Sequence, residues 1–123
     1  MKHLRCVTGS FVSMALLILA IPTLWAQDMV KVAPKNCKLL LDNERVRVVR
    51  VVLKPGDKLE MHSHPATIVY SLTSGKVKYI MPDGKTEERE IKAGTTRWSE
   101  SETHSTENTG TTESRALVIE LKK

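Results

Sequence analysis

Aromatic side chains are scarce in this chain, with one Phe, two Trp and two Tyr in 123 residues. Beyond residue 26 only Tyr70, Tyr79 and Trp98 remain, too few for a platform that stacks bases. Lys and Arg outnumber the acids, yet they form no run long enough for a nucleic-acid surface. Cysteine is nearly missing. Cys6 lies close to the N-terminus and Cys37 stands alone. A lone cysteine is read first as a buried small hydrophobe, with a reactive thiol or an intermolecular disulfide as the other readings. No window after residue 26 keeps a helical period, and no internal repeat is visible.

Long apolar runs are also absent except for one, Phe11 to Ile21, preceded by Lys2 and Arg5 and followed by Pro22 and Thr23-Leu24-Trp25-Ala26. A basic start, an apolar region of about 7–15 residues and a small residue at the end describe a secretory signal peptide. The run is shorter than the roughly 20 residues a membrane span needs. Residues 1–26 are therefore expected to be a signal peptide, cleaved after Ala26, and the protein periplasmic or secreted, with no stable membrane insertion after cleavage. Leu24 is an unusual residue three positions before a cut, so an uncleaved anchor is the alternative. Loss of the leader removes Lys2 and Arg5 and lowers the formal net charge by two from +5. What remains is enough chain for one domain with a modest core.

The remaining chain is a series of short apolar segments cut by turns. Residues 27–45 are expected to lead in as an extended segment, with Cys37 to Leu41 a short strand closed by Asp42-Asn43. Arg45 to Leu53 is the strongest strand, rich in Val. Pro55-Gly56-Asp57 ends it. Thr67 to Leu72 and Lys76 to Met81 follow, and Pro82-Asp83-Gly84 marks a hairpin whose second arm is Thr86 to Ile91. Leu117 to Leu121 is the last strand. The Ser/Thr-rich stretch from Thr95 to Ser114 reads as half-exposed strand and loop. Short strands at intervals of roughly 8–12 residues indicate an all-β sandwich or barrel.

Against this background the histidines stand out. His62 and His64 are two apart in a segment that reads as β, so their side chains point to the same face. A third, His104, lies downstream in His104-Ser105-Thr106-Glu107-Asn108. Two imidazoles on one face need one more donor to hold a divalent metal. On an unbroken strand Glu60 would share that face, either as a fourth ligand or proton carrier or as a solvated carboxylate. Glu107 alternates away from His104. Tyr70 and Trp98 belong first to the core, although both could wall a pocket and Tyr70 could handle protons. Arg47 and Arg50 could bind an anion if they faced a cavity, and surface exposure is the alternative. Asn108 is read first as a turn-tying amide, with support of a metal ligand as the alternative.

With these residues in place the chain resembles the cupins, here a small single-domain member. The family's first motif, G-x5-H-x-H-x3,4-E-x6-G, is matched by Gly56, His62, His64 and Gly75. The second, ending in H-x3-N, is matched by His104 and Asn108, with Gly94 opening the segment. The motif glutamate falls at Ile68, which cannot ligate, and the P-x-G before the second-motif histidine is replaced by Ser99-Glu100-Ser101-Glu102-Thr103. The resemblance implies an all-β double-stranded β-helix, a jelly-roll barrel over residues 46–121. It also implies a metal held by His62, His64 and His104.

Imidazole ligation admits Fe, Mn, Zn, Ni or Cu without choosing among them. Open coordination positions describe a catalytic rather than a closed structural site. Without the carboxylate the metal keeps its full charge and favours an anionic small molecule. The expected function is a metal-binding cupin with a small-molecule pocket, a three-His dioxygenase or isomerase with Glu60 or Tyr70 handling protons. The alternative is a non-catalytic module that holds a metal or small ligand. A homodimer is a further expectation, with Val30 to Leu41 as the segment exchanged.

Overall fold

The computed structural model describes residues 27–123; the expected leader, residues 1–26, lies outside them. Among the described residues no helix is long and apolar enough to cross a membrane. The described chain runs as one helical turn, α1 (Met29–Val32), followed by nine strands. These are β1 (Cys37–Asp42), β2 (Val46–Leu53), β3 (Lys58–His64), β4 (Thr67–Ser71), β5 (Gly75–Ile80), β6 (Thr86–Ile91), β7 (Thr96–Ser99), β8 (Glu102–Asn108) and β9 (Ser114–Leu121).

All strand pairings are antiparallel and build two sheets, ordered β1-β2-β9-β4-β7 and β3-β8-β5-β6. Apart from the β1–β2 and β5–β6 hairpins, successive strands cross between the sheets, which gives the expected double-stranded β-helix. Strand β2 shows how sequence becomes layer. Its β-branched residues suit an extended backbone, and the inner set Val49, Val51 and Leu53 is buried while Val48 and Arg50 face outward. Gly56, at φ +85°, makes the β2–β3 turn in a backbone region that other residues rarely adopt. The carboxylate of Asp57 steadies that turn by accepting from the Lys54 amide at 3.0 Å and from Asn36 Nδ2 at 3.1 Å.

The lead-in of residues 27–45 differs from a plain extended segment. Asp28 accepts the Val30 amide at 2.9 Å and so starts a helical turn. The turn buries Met29 and Ala33 in the same cluster as Cys37, Val49, Leu53 and Leu59. Strand β1 then pairs with β2 along its length. Asp28 and buried Glu120 both accept from Arg47, the Glu120 contact being 3.1 Å. Arg47 is thus half-buried and neutralised, whereas Arg50 is exposed; neither lines the cavity. Cys37 is a free, buried thiol, and burial pushes its pKa up to about 12. It serves as a small apolar side chain.

Candidate metal centre

The site lies between the sheets, and Met29, Val51 and Leu59 of that cluster line its cavity. Strands β3 and β8 are antiparallel neighbours, and their register sets His62 directly opposite His104 and His64 opposite Glu102. All three histidines are buried. The His62 and His104 rings are 4.9 Å apart between centroids, His64 and His104 5.0 Å, and His62 and His64 6.1 Å. The structure therefore assembles the three imidazoles that the spacing suggested.

It also adds a residue that sequence reasoning missed. Oε1 of Glu102 lies 2.9 Å from His104 Nδ1 and 3.9 Å from His64 Nε2. His64, Glu102 and His104 offer ligand atoms within 4.8 Å of one another. The missed signal was the register itself: pairing the two motif strands through His62 and His104 puts residue 102 across from residue 64.

Glu60 is not in this group. The register shifts between Leu59 and His62, so Leu59 and His62 both point inward and the intervening residues are displaced. The Glu60 side chain is 70% exposed and its nearest cation is Lys58, at 4.0 Å. Tyr70 also faces away, because on β4 it is Thr67, Val69 and Ser71 that line the cavity. The same alternation corrects the placement of the missing motif glutamate. Ile68 points outward and Val69 is the cavity-facing position, and neither can ligate. Trp98 is 51% exposed, its indole N–H donating to Glu100 at 2.7 Å, and so is not a core residue. Glu107 pairs with Lys78 at 2.9 Å, away from the histidines as expected.

Tyr79 takes the place expected of Tyr70. Its ring lies 5.2 Å from that of His104, and its hydroxyl accepts from Arg97 Nη2 at 2.9 Å. Arg97 also lies over the Tyr79 ring, 5.2 Å from its centroid, and faces the cavity. Among the described residues no carboxylate is within ion-pair distance of it. The cavity, about 90 Å³, has room for a few waters or a ligand of a few heavy atoms.

Electrostatics and hydrogen bonding fit a metal. Burial lowers the pKa of His62 and, reinforced by the neighbouring His62, pushes that of His104 down to about 4. Both rings are thus held neutral, the form that ligates. His62 Nδ1 sits 2.8 Å from the Glu60 carbonyl and His64 Nδ1 2.7 Å from that of Pro65. These contacts use Nδ1 as donor and leave Nε2 of each ring free to ligate. Among the described residues two buried side-chain polar atoms have no hydrogen-bond partner, His104 Nδ1 and Thr67 Oγ1. The Glu102 oxygen is close to that nitrogen but out of line for a hydrogen bond. Residues 67 and 104 both line the cavity, so a bound ion and ligand would supply the missing partners.

Asn108 is structural, as its sequence suggested. It is 1% exposed, donates to the carbonyls of Leu53 and Thr112, both at 2.8 Å, and accepts the Gly110 amide at 2.9 Å. One amide thereby joins the ends of β2 and β8 to the loop that follows.

Comparison with known proteins agrees with this architecture. No protein-family model matches the sequence, and no curated protein matches it. Among solved structures, a cupin domain from Bordetella pertussis is 27% identical with a TM-score of 0.66, over 71% of this chain and 92% of that one. A protein from Thermotoga maritima described as a predicted oxalate decarboxylase is 32% identical with a TM-score of 0.50, over 69% of this chain and 78% of its own. An RmlC-like cupin family protein from Methanocaldococcus jannaschii shares the double-stranded β-helix at 15% identity and a TM-score of 0.58, over 70% of this chain and 78% of that one.

Proposed function

The chain belongs to the cupin superfamily, and on that premise we propose that it is a secreted or periplasmic protein that binds a divalent transition metal and a small anionic molecule side by side. The observation that carries this is one cavity lined by the buried His62, His64 and His104, with the half-buried Glu102 against His64 and His104, beside an arginine, Arg97, that among the described residues has no carboxylate partner. The leader sequence supports the compartment. The three histidines are the proposed ligands, with Glu102 beside His64 and His104. Fe, Mn, Zn, Ni or Cu all suit these donors. Such an ion supplies Lewis acidity toward a carbonyl or enolate, or activates water or O₂.

The remaining steps belong to this chain's own residues. Arg97 holds a carboxylate of the ligand with charge-assisted hydrogen bonds. Tyr79, whose hydroxyl accepts from Arg97, keeps its own O–H free to donate toward the ligand. Thr67 Oγ1 is a second free donor. Glu102, beside His104, is the group placed to accept a proton from a bound substrate, and Tyr79 to return one. These two occupy the roles expected of Glu60 and Tyr70. The chemistry best suited to them is that of a metal-dependent dioxygenase or isomerase acting on a small carboxylate. The description of the Thermotoga relative as a predicted oxalate decarboxylase is in keeping with a ligand of that kind.

A non-catalytic binding module is the second reading. It is favoured by the single carboxylate beside the histidines, which leaves Glu102 either holding the ion or moving a proton.

The test is elemental analysis of the protein, purified without a His tag, beside His62→Ala/His64→Ala. Near-stoichiometric metal in the parent and none in the variant is expected. Failure of the parent to take up Fe, Mn, Zn, Ni or Cu overturns the proposal. Product formation or oxygen uptake with small oxo-acids then separates enzyme from module, and Arg97→Gln is expected to weaken carboxylate binding at least tenfold without loss of metal.

A further inference from the structure

The connection from β7 to β8 carries the chain from one sheet to the other through only Glu100 and Ser101. Polar side chains fill this corner, and each has a definite partner. Glu100 is exposed and accepts from the Trp98 indole. Ser101 Oγ donates to the His64 carbonyl at 3.2 Å, and the Ser63 and Thr103 hydroxyls share a hydrogen bond of 2.6 Å. These contacts staple the start of β8 to the end of β3. Ser99 is 9% exposed, lines the cavity and donates to Glu102 Oε1 at 3.0 Å.

Among the described residues every polar contact of the Glu102 carboxylate falls on that one oxygen. Oε1 is 3.0 Å from Ser99 Oγ, 2.9 Å from His104 Nδ1 and 3.9 Å from His64 Nε2. Of these only the contact with Ser99 is a hydrogen bond. The Glu102 side chain is 33% exposed, and a glutamate turns freely about several side-chain bonds, so water competes for it. A hydroxyl donating to an ionised carboxylate makes a charge-assisted bond, stronger than a neutral one. That bond selects the inward position. The gap between Oε1 and His104 Nδ1 has a meaning of its own. Two donors about 2.1 Å from one ion and at right angles to each other lie about 3.0 Å apart.

We propose that Ser99 is a positioning residue of the metal centre: its hydroxyl pins Glu102 Oε1 against His64 and His104, so that the carboxylate serves the ion instead of turning to solvent. The inference rests on the metal-binding reading above and names the residue that keeps Glu102 in place for it. Oε2, with no hydrogen-bond partner among the described residues, is left for the proton assigned to Glu102. Alanine at 99 would keep the strand and lose only the donor.

Zn²⁺ binding by the purified protein, measured in competition with a chromophoric chelator, tests this role through a double-mutant cycle. Ser99→Ala is expected to weaken Zn²⁺ binding about tenfold, with an unchanged far-ultraviolet spectrum, and Glu102→Gln at least as much. In the Glu102→Gln background Ser99→Ala should change the affinity by less than about twofold, because a residue that acts through another has nothing left to act on. The same cycle read on the urea midpoint of the metal-free protein should also be non-additive. A Ser99→Ala protein that binds Zn²⁺ as tightly as the parent, or one whose loss persists in full beside Glu102→Gln, overturns the role while leaving the metal centre standing. A parent that takes up no Zn²⁺ overturns the role together with the metal-binding reading, and the parent alone reveals that result.

Discussion

The two ends of the barrel interior are made of the same strands and do different work. At one end Ala33, Cys37, Val49 and Leu53 close against one another as an apolar cluster, whose members Met29, Val51 and Leu59 reach the cavity. At the other, the strands that supply Leu59 and Val51 present His62, Ser114 and Ala116 on partner positions around a cavity, with His64, Thr67, Ser99 and His104 buried nearby. The apolar end gains free energy from every methylene it removes from water. The polar end forgoes it, since buried imidazoles and hydroxyls only break even when partnered. A chain of this size that spends half its interior on polar groups is using the other half to hold them in place.

The largest expected effect tests that division directly. Leu53→Ala removes a side chain that is 2% exposed and should cost about 2–5 kcal/mol in urea unfolding, with metal bound per folded molecule unchanged. A loss of metal stoichiometry would show that the two ends are not separable. Next comes Asn108→Ala, which strips partners from the Leu53 and Thr112 carbonyls and the Gly110 amide. It should cost about 1–3 kcal/mol, read by the same measurement.

A pH scan of the metal-free protein probes the polar end. His104 lies near 4 when folded against 6.5 as a free group, so between those values the unfolded chain binds more protons than the folded one. Stability from this group is complete above pH 6.5 and is lost as the pH falls toward 4. The melting temperature should drop across that window, and His104→Gln should flatten the drop. A melting temperature that rises on acidification would contradict a buried neutral His104. The smallest effect belongs to Glu60→Gln, expected to shift stability by less than about 0.5 kcal/mol and to leave metal content intact, because the bulge in β3 turns that residue to solvent.

Much of the barrel could be read locally. The Val-rich run of β2, the Asp83-Gly84 hairpin and the turn at Gly56 carry their conformations in their own side chains, and all appear where expected. The least legible strand was β8. Glu102 to Asn108 has the composition of a linker, yet His104, Ser105, Thr106 and Asn108 are buried. Burial there is imposed by neighbours on both sides, β3 and β5, rather than by apolar content. The helical turn at Met29 was hidden for a similar reason, since four residues show no period and the turn rests on Asp28 and Arg47.

By itself the sequence determined the all-β class, the pairing of two motif histidines on one face and the arrival of a third, because alternation along a strand and the positions of turns are local properties. Only the tertiary structure decided which other residues join them. One displaced residue in β3 sent Glu60 outward, the register of β3 on β8 brought Glu102 inward, and the alternation of β4 against its neighbours exchanged Tyr70 for Tyr79 at the cavity. Register and bulges depend on how two distant strands meet, and a shift of one residue reverses which side chains a face presents.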